Sequence, residues 1–196
     1  MGRQEGGADD AHPQMTDPAV IDELVGNAHG NLARVKELLD AHPEALNARA
    51  SWNETAIEAA TQMGNRQIIE HLLERGAPID FFTACVLGRT DLVDRELATN
   101  PEAMNRRGVH NLPALYFAAI GGGLETARRL LSAGADVNAA CEAAAPIHGA
   151  VMGGNPDMVR LLLEHGADPS LPDFKGRGAR RLAEDMGRLD VAELIA

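Results

Sequence analysis

Aromatic residues are scarce: one tryptophan, one tyrosine and four phenylalanines in 196 residues, although 45% of the chain is apolar. Without large rings the core has to be built from alanine and aliphatic side chains, which suits closely packed helices. Cysteine is nearly absent too. Cys85 falls in a predicted helix and Cys141 in a predicted loop, and two thiols are too few for a disulfide framework or a zinc site. The expected setting is reducing and cytoplasmic. No long apolar run is present: the first ten residues lack the apolar core of a signal peptide, and no later stretch approaches membrane-spanning length. Cations are few as well, 18 against 29 acidic residues, for a net charge of -11 spread along the whole chain. Such a body repels phosphate backbones, which argues against nucleic acid as a partner and leaves no expected membrane association.

What the sequence does hold is a repeat. From Ala145 to Asp168 it reads Ala-Pro-Ile-His, Gly-Ala-Val-Met-Gly-Gly-Asn, then Pro-Asp-Met-Val-Arg-Leu-Leu-Leu-Glu-His-Gly-Ala-Asp. Glycines equivalent to Gly154 fall at Gly30, Gly64, Gly88, Gly122 and Gly187, with successive gaps of 34, 24, 34, 32 and 33. Five, eight and nine residues after each glycine comes an apolar trio: Val35, Leu38, Leu39; Ile69, Leu72, Leu73; Val93, Leu97 with Glu96 intervening; Ala127, Leu130, Leu131; Val159, Leu162, Leu163; Ala192, Ile195, Ala196. Spacing i, i+3, i+4 puts each trio on one helix face. Stacked side by side, six such faces close a core that no single unit could close alone.

A period near 33 residues with a Pro-Leu-His-like start and a Leu-Leu-x-x-Gly-Ala-Asp ending resembles the ankyrin repeat family. The resemblance covers about residues 18–196. It implies an all-α solenoid of about six helix-turn-helix units joined by β-turn fingers, with units at about 17–47, 48–80, 81–105, 106–138, 139–170 and 171–196 after a disordered tail over 1–16. The family's Thr-Pro-Leu-His is met only as Thr55-Ala56-Ile57-Glu58, Pro113-Ala114-Leu115-Tyr116, Ala145-Pro146-Ile147-His148 and Gly178-Ala179-Arg180-Arg181. Its Thr and His tie neighbouring units together in the family, so the ties here are expected to be uneven, with His148 in the structural histidine's place.

Two irregularities sit on top of the repeat. His42-Pro43-Glu44-Ala45-Leu46-Asn47 and Asn100-Pro101-Glu102-Ala103-Met104-Asn105 lie 58 residues apart, so units one and two look duplicated as units three and four. Between them Gly76-Ala77-Pro78-Ile79-Asp80 runs straight into Phe81-Phe82, leaving no room for a finger. Glu96 stands where other units carry Leu, Ala or Ile, and must either reach solvent or be paired.

The resemblance implies that a partner protein is met by the finger tips and the exposed ends of the first helices, with the chain acting as a monomer. Carried over residue by residue, that strip holds Ser51, Trp52, Glu54, Gln62, Met63, Val109, His110, Leu112, Ile120, Glu142, Met152, Phe174, Lys175 and Arg177. Trp52, the only tryptophan, sits in a turn beside Asn53 and Glu54, where a core role is least expected; it reads as an interface anchor, the alternative being a fold-back onto the neighbouring finger. Phe81 or Phe82 would floor the gap left by the missing finger.

Catalysis is not expected. His29, His71 and His165 fall at helix ends or outer faces, and a Cys141–His110 pair would lack an oxyanion hole and an orienting group. Tandem metal-ligand spacing is missing around His110, Cys141 and Glu142, and Gly121-Gly122-Gly123 has neither a preceding strand nor a following Gly-Lys-Ser. No cofactor is expected. The basic cluster Lys175, Arg177, Arg180, Arg181 and Arg188 reads as the polar outer face of a terminal unit. Other functional classes are a ligand- or metal-responsive regulator and a structural spacer within a larger assembly.

Overall fold

The computed structural model describes residues 16–195. The expected tail lies outside that range except for Thr16, whose hydroxyl is 3.3 Å from Glu44 Oε1, and Ala196 of the last trio lies outside it as well.

Among the described residues the chain forms twelve α-helices and no strand. They run α1 (Pro18–Ala28), α2 (Leu32–Ala41), α3 (Ala56–Gln62), α4 (Arg66–Glu74), α5 (Phe81–Leu87), α6 (Thr90–Thr99), α7 (Ala114–Ile120), α8 (Leu124–Ser132), α9 (Pro146–Gly153), α10 (Pro156–Glu164), α11 (Ala179–Asp185) and α12 (Leu189–Ala192). The starts follow from local chemistry. Asp17 accepts from Ala19 N–H at 2.9 Å with Pro18 in the first helical position. Asn31, Asn65 and Asn155, each one residue after a reference glycine, cap α2, α4 and α10 through the amides of Arg34, Ile68 and Met158. In five of the six pairs the turn between the helices uses a left-handed residue: Gly64, Gly88, Gly122, Gly154 and Gly187 have φ between +64° and +72°, whereas the α1–α2 turn at Gly30 does not.

The helices stack in two layers. The first helices pack in the order α1, α3, α5, α7, α9, α11, and the second helices form the outer layer. Close approach in the inner layer depends on missing side chains. A Cβ on Gly121 would collide with the Val86 carbonyl, and one on Gly149 would stand 2.8 Å from that of Tyr116. The first two members of the apolar trios are buried at Val35/Leu38, Ile69/Leu72, Ala127/Leu130, Val159/Leu162 and Ala192/Ile195. The third is only half-buried at Leu73, Leu97, Leu131 and Leu163, because the outer layer has neighbours on one side only. Glu96 meets both of its expectations: it is half-exposed and its Oε1 accepts from Arg106 Nη1 at 2.9 Å.

The 58-residue duplication extends to individual bonds. Bridges join Arg49 to Thr55 and Arg107 to Pro113 at the base of two fingers. Arg49 Nη1 donates to the Asn53 carbonyl at 2.8 Å and Arg107 Nη1 to that of Asn111 at 2.9 Å, with both asparagines at positive φ. Unit three has no finger: Asp80 caps α5 directly, accepting from Thr83 N–H at 2.7 Å. Phe81 and Phe82 are buried, Phe82 lying 4.9 Å from Phe117 between ring centroids.

Candidate concave interface

Three hollows open along the face made by fingers and first helices. The largest, about 360 Å³, is a groove over the inner layer whose apolar lining includes Met63, Leu112, Tyr116, Met152, Phe174 and Met186. Gln62, His110, His148, Asp173, Arg177 and Asp185 supply its polar groups. A second, about 330 Å³, lies between the two duplicated finger tips, with Trp52 and Glu54 on one side and Val109 and His110 on the other. A third, about 230 Å³, occupies the place of the missing finger and includes Phe82, Phe117, Thr83 and Val109. The expected gap is therefore real, and Phe82 lies in its lining while remaining largely covered.

The groove is held rigidly from below. Tyr116 stands where the family motif has histidine; its hydroxyl donates to the Gln62 carbonyl at 3.4 Å and approaches Met152 Sδ at 3.6 Å, and burial pushes its ionisation up. His148 is fully buried. Its Nδ1 accepts from Ala145 N–H at 3.0 Å, so its Nε2–H faces the Arg177 carbonyl at 3.3 Å and joins unit five to finger six. Desolvation lowers the His148 pKa, with the hydrogen bond to Arg177 and the Asp173 charge opposing it. At Asp173 burial alone would raise the carboxyl, but the Arg177 guanidinium and the amides of Arg177 and Lys175 hold it below the usual carboxylate range. That set of bonds shapes finger six.

The residues carried over from the family strip divide into groups. Gln62, Met63, His110, Leu112, Met152, Phe174 and Arg177 meet at the groove, and Trp52, Glu54, Val109 and His110 at the finger-tip cleft. Met63 at 40%, Trp52 at 48% and Phe174 at 70% are the exposed apolar members. Ile120 departs from its expected place. It is buried, because its backbone and side chain pack against the turn at Gly64 and against Gly153 of the next unit. Gln62, Leu112 and Glu54 are also largely buried, so their surfaces are walls rather than projections. Lys175 is exposed, its Nζ 5.4 Å from the Phe174 ring centroid.

Sequence reasoning missed Tyr116, Leu182 and Met186. Met186 had a readable signal, since it directly precedes Gly187 as Met63 directly precedes Gly64. The basic cluster is largely occupied within the chain: Arg177 with Asp173 and Asp185, Arg180 with Glu184, Arg181 with Asp185, and Arg188 Nη2 with the Met152 carbonyl. Cys141 donates to the Ala144 carbonyl at 3.4 Å rather than meeting His110. Among the described residues no three His, Cys, Asp or Glu side chains converge to hold a metal ion, and no helix is long and apolar enough to cross a membrane.

Paired helices, left-handed glycine turns and β-turn fingers stacked in two layers define a helical-repeat solenoid. Residues 81–173 match the family model for ankyrin repeats in three copies. These units are ankyrin repeats, and the fold is that of an ankyrin solenoid. It is 35% identical over 127 residues to BCL-6 corepressor-like protein 1 of Homo sapiens, a match covering 64% of this chain and 7% of that protein. Ankyrin repeat protein nuc-2 of Neurospora crassa is 26% identical over 170 residues, covering 81% of this chain and 16% of that one. ARF GTPase-activating protein GIT1 of Homo sapiens is 39% identical over 76 residues, covering 38% of this chain and 10% of that protein. Each match thus spans a small part of a much longer relative. Ankyrin repeats are a protein–protein interaction module, and nothing in these matches assigns the repeats a catalytic role.

Proposed function

We propose that the chain is a noncatalytic recognition module that holds a segment of another protein in the concave groove, with the finger tips as flanking contacts. The carrying observation is the 360 Å³ hollow into which Met63, Met152 and Met186 converge from three different units. A concave, mainly apolar site with a few fixed polar groups is the ordinary form of a binding pocket, and thioethers adapt to irregular partner shapes. A monomer in a reducing compartment such as the cytoplasm fits this reading, with Cys85 buried and both cysteines free. The test is capture of partners from native extract by the wild type and by Met152→Arg. The variant is expected to lose the wild-type partners while its melting stays close to wild type. If it keeps all of them at unchanged affinity, the groove is not the site; if the wild type captures nothing, the spacer reading is favoured.

A further inference from the structure

Resting on the reading that this face binds a protein, we propose that the cleft between the finger tips receives a lysine or arginine side chain of the bound segment, with Glu54 as its counter-charge. The Glu54 side chain is only 5% exposed. Its Oε2 accepts from Trp52 Nε1–H at 2.9 Å. Among the described residues its Oε1 is buried with no hydrogen-bond partner, and His110 Nε2, a basic nitrogen beside it, is 3.9 Å away, beyond hydrogen-bonding distance. A buried carboxylate oxygen without a donor is costly, and a donor arriving with a bound segment recovers that cost.

The turn itself does not require the carboxylate. In the duplicated finger the same place, 58 residues on, is filled by Leu112, equally buried at 4%. Glu54 therefore carries a charge where an apolar residue serves the fold. The hollow beside it exists because unit three has no finger to fill it. Of the other charges there, Arg49 and Glu58 pair with each other at 3.1 Å, leaving Glu54 as the carboxylate without a full complement. On the far side His29 Nε2 lies 3.8 Å from Glu54 Oε2 but is engaged by Gln62 Nε2 at 2.6 Å. Trp52, half-exposed, borders the same cleft and offers an aromatic surface to a cation. The net charge of -11 favours approach of basic segments to the chain as a whole. His110 borders both hollows, so the cleft at Glu54 adjoins the groove lined by the methionines.

A single tryptophan gives one indole N–H resonance, and that N–H is the donor to Glu54. The full chain, labelled with nitrogen-15, is titrated at constant ionic strength with N-acetyl-arginine amide, N-acetyl-lysine amide and N-acetyl-glutamine amide. The two cationic probes are expected to shift the indole resonance saturably and the neutral one not. Glu54→Gln should weaken the cationic probes by about tenfold or more, as loss of a charge-assisted bond does. Glu54→Asp, which keeps the charge, covers the case in which Glu54→Gln disturbs the finger, and should retain saturable binding. Absence of saturation in the wild type, an equal response to the glutamine probe, or unchanged affinity in a folded Glu54→Gln would each overturn the proposal. A flat titration does so even if Met152→Arg abolishes partner capture, and a saturable one stands even if it does not, so the two readings fail separately.

Discussion

His148 shows how one side chain can tie two units and make the tie depend on pH. Its Nδ1 is occupied as an acceptor from Ala145 N–H, so adding a proton there would break that bond inside a fully buried site. Desolvation accordingly holds the folded pKa below the unfolded one. The unfolded chain then takes up a proton that the folded chain refuses. Stability is therefore complete above the unfolded value, about 6.5, and declines as pH falls below it. Urea unfolding at about pH 7.5 and 5.5 should show a loss in the wild type that shrinks in His148→Asn, where no imidazole titrates. Equal losses in the two proteins would place the titration at another group. The role of His148 was legible from its place in the motif. Glu54 was named in the contact strip, but its burial was not legible, since a glutamate in a turn reads as solvated, and the structure places it in the wall of the cleft between two finger tips.

At the scale of the element, what the sequence shows best is what periodicity dictates. The glycine arithmetic locates the turn of every pair, and in five of the six units the first two members of the trio are buried as their spacing requires, Glu96 of unit three being the exception. The third members are not equally informative, because whether i+9 is covered depends on how far the next unit overlaps the outer layer. Ile120 shows the same limit. Its position at the end of a first helix suggests exposure, yet Gly64 and Gly153 bring neighbouring backbone against it. Leu130 in α8 and Leu162 in α10 are both fully buried, so truncating either removes contacts shared between units. Leu130→Ala and Leu162→Ala should each cost about 2–5 kcal/mol in chemical denaturation. A loss under about 1 kcal/mol for both would mean that the outer helices are loosely docked.

The groove belongs to the whole molecule. Met63 comes from unit two, Leu112 and Tyr116 from unit four, Met152 from unit five, and Phe174 and Met186 from unit six, so its shape depends on how units stack over more than 120 residues of sequence. Sequence spacing assigns each residue to its unit but does not fix the angle between units, which is why the strip could be named and its centre could not. That centre is open to experiment, because the two most exposed aromatic side chains stand on different fingers: Trp52 near the cleft and Phe174 on finger six. Among the described residues the Trp52 side chain makes one hydrogen bond, to Glu54, and half of it faces solvent, so its removal should disturb the fold little. If the partner spans the cleft and the groove together, Trp52→Ala should weaken the complex by about 2 kcal/mol or more with a nearly unchanged melting temperature, as hot-spot residues behave. If Trp52→Ala instead lowers the melting temperature and leaves affinity intact, while Phe174→Ala weakens binding, the partner is held at the C-terminal end of the groove and the indole serves only to brace its finger.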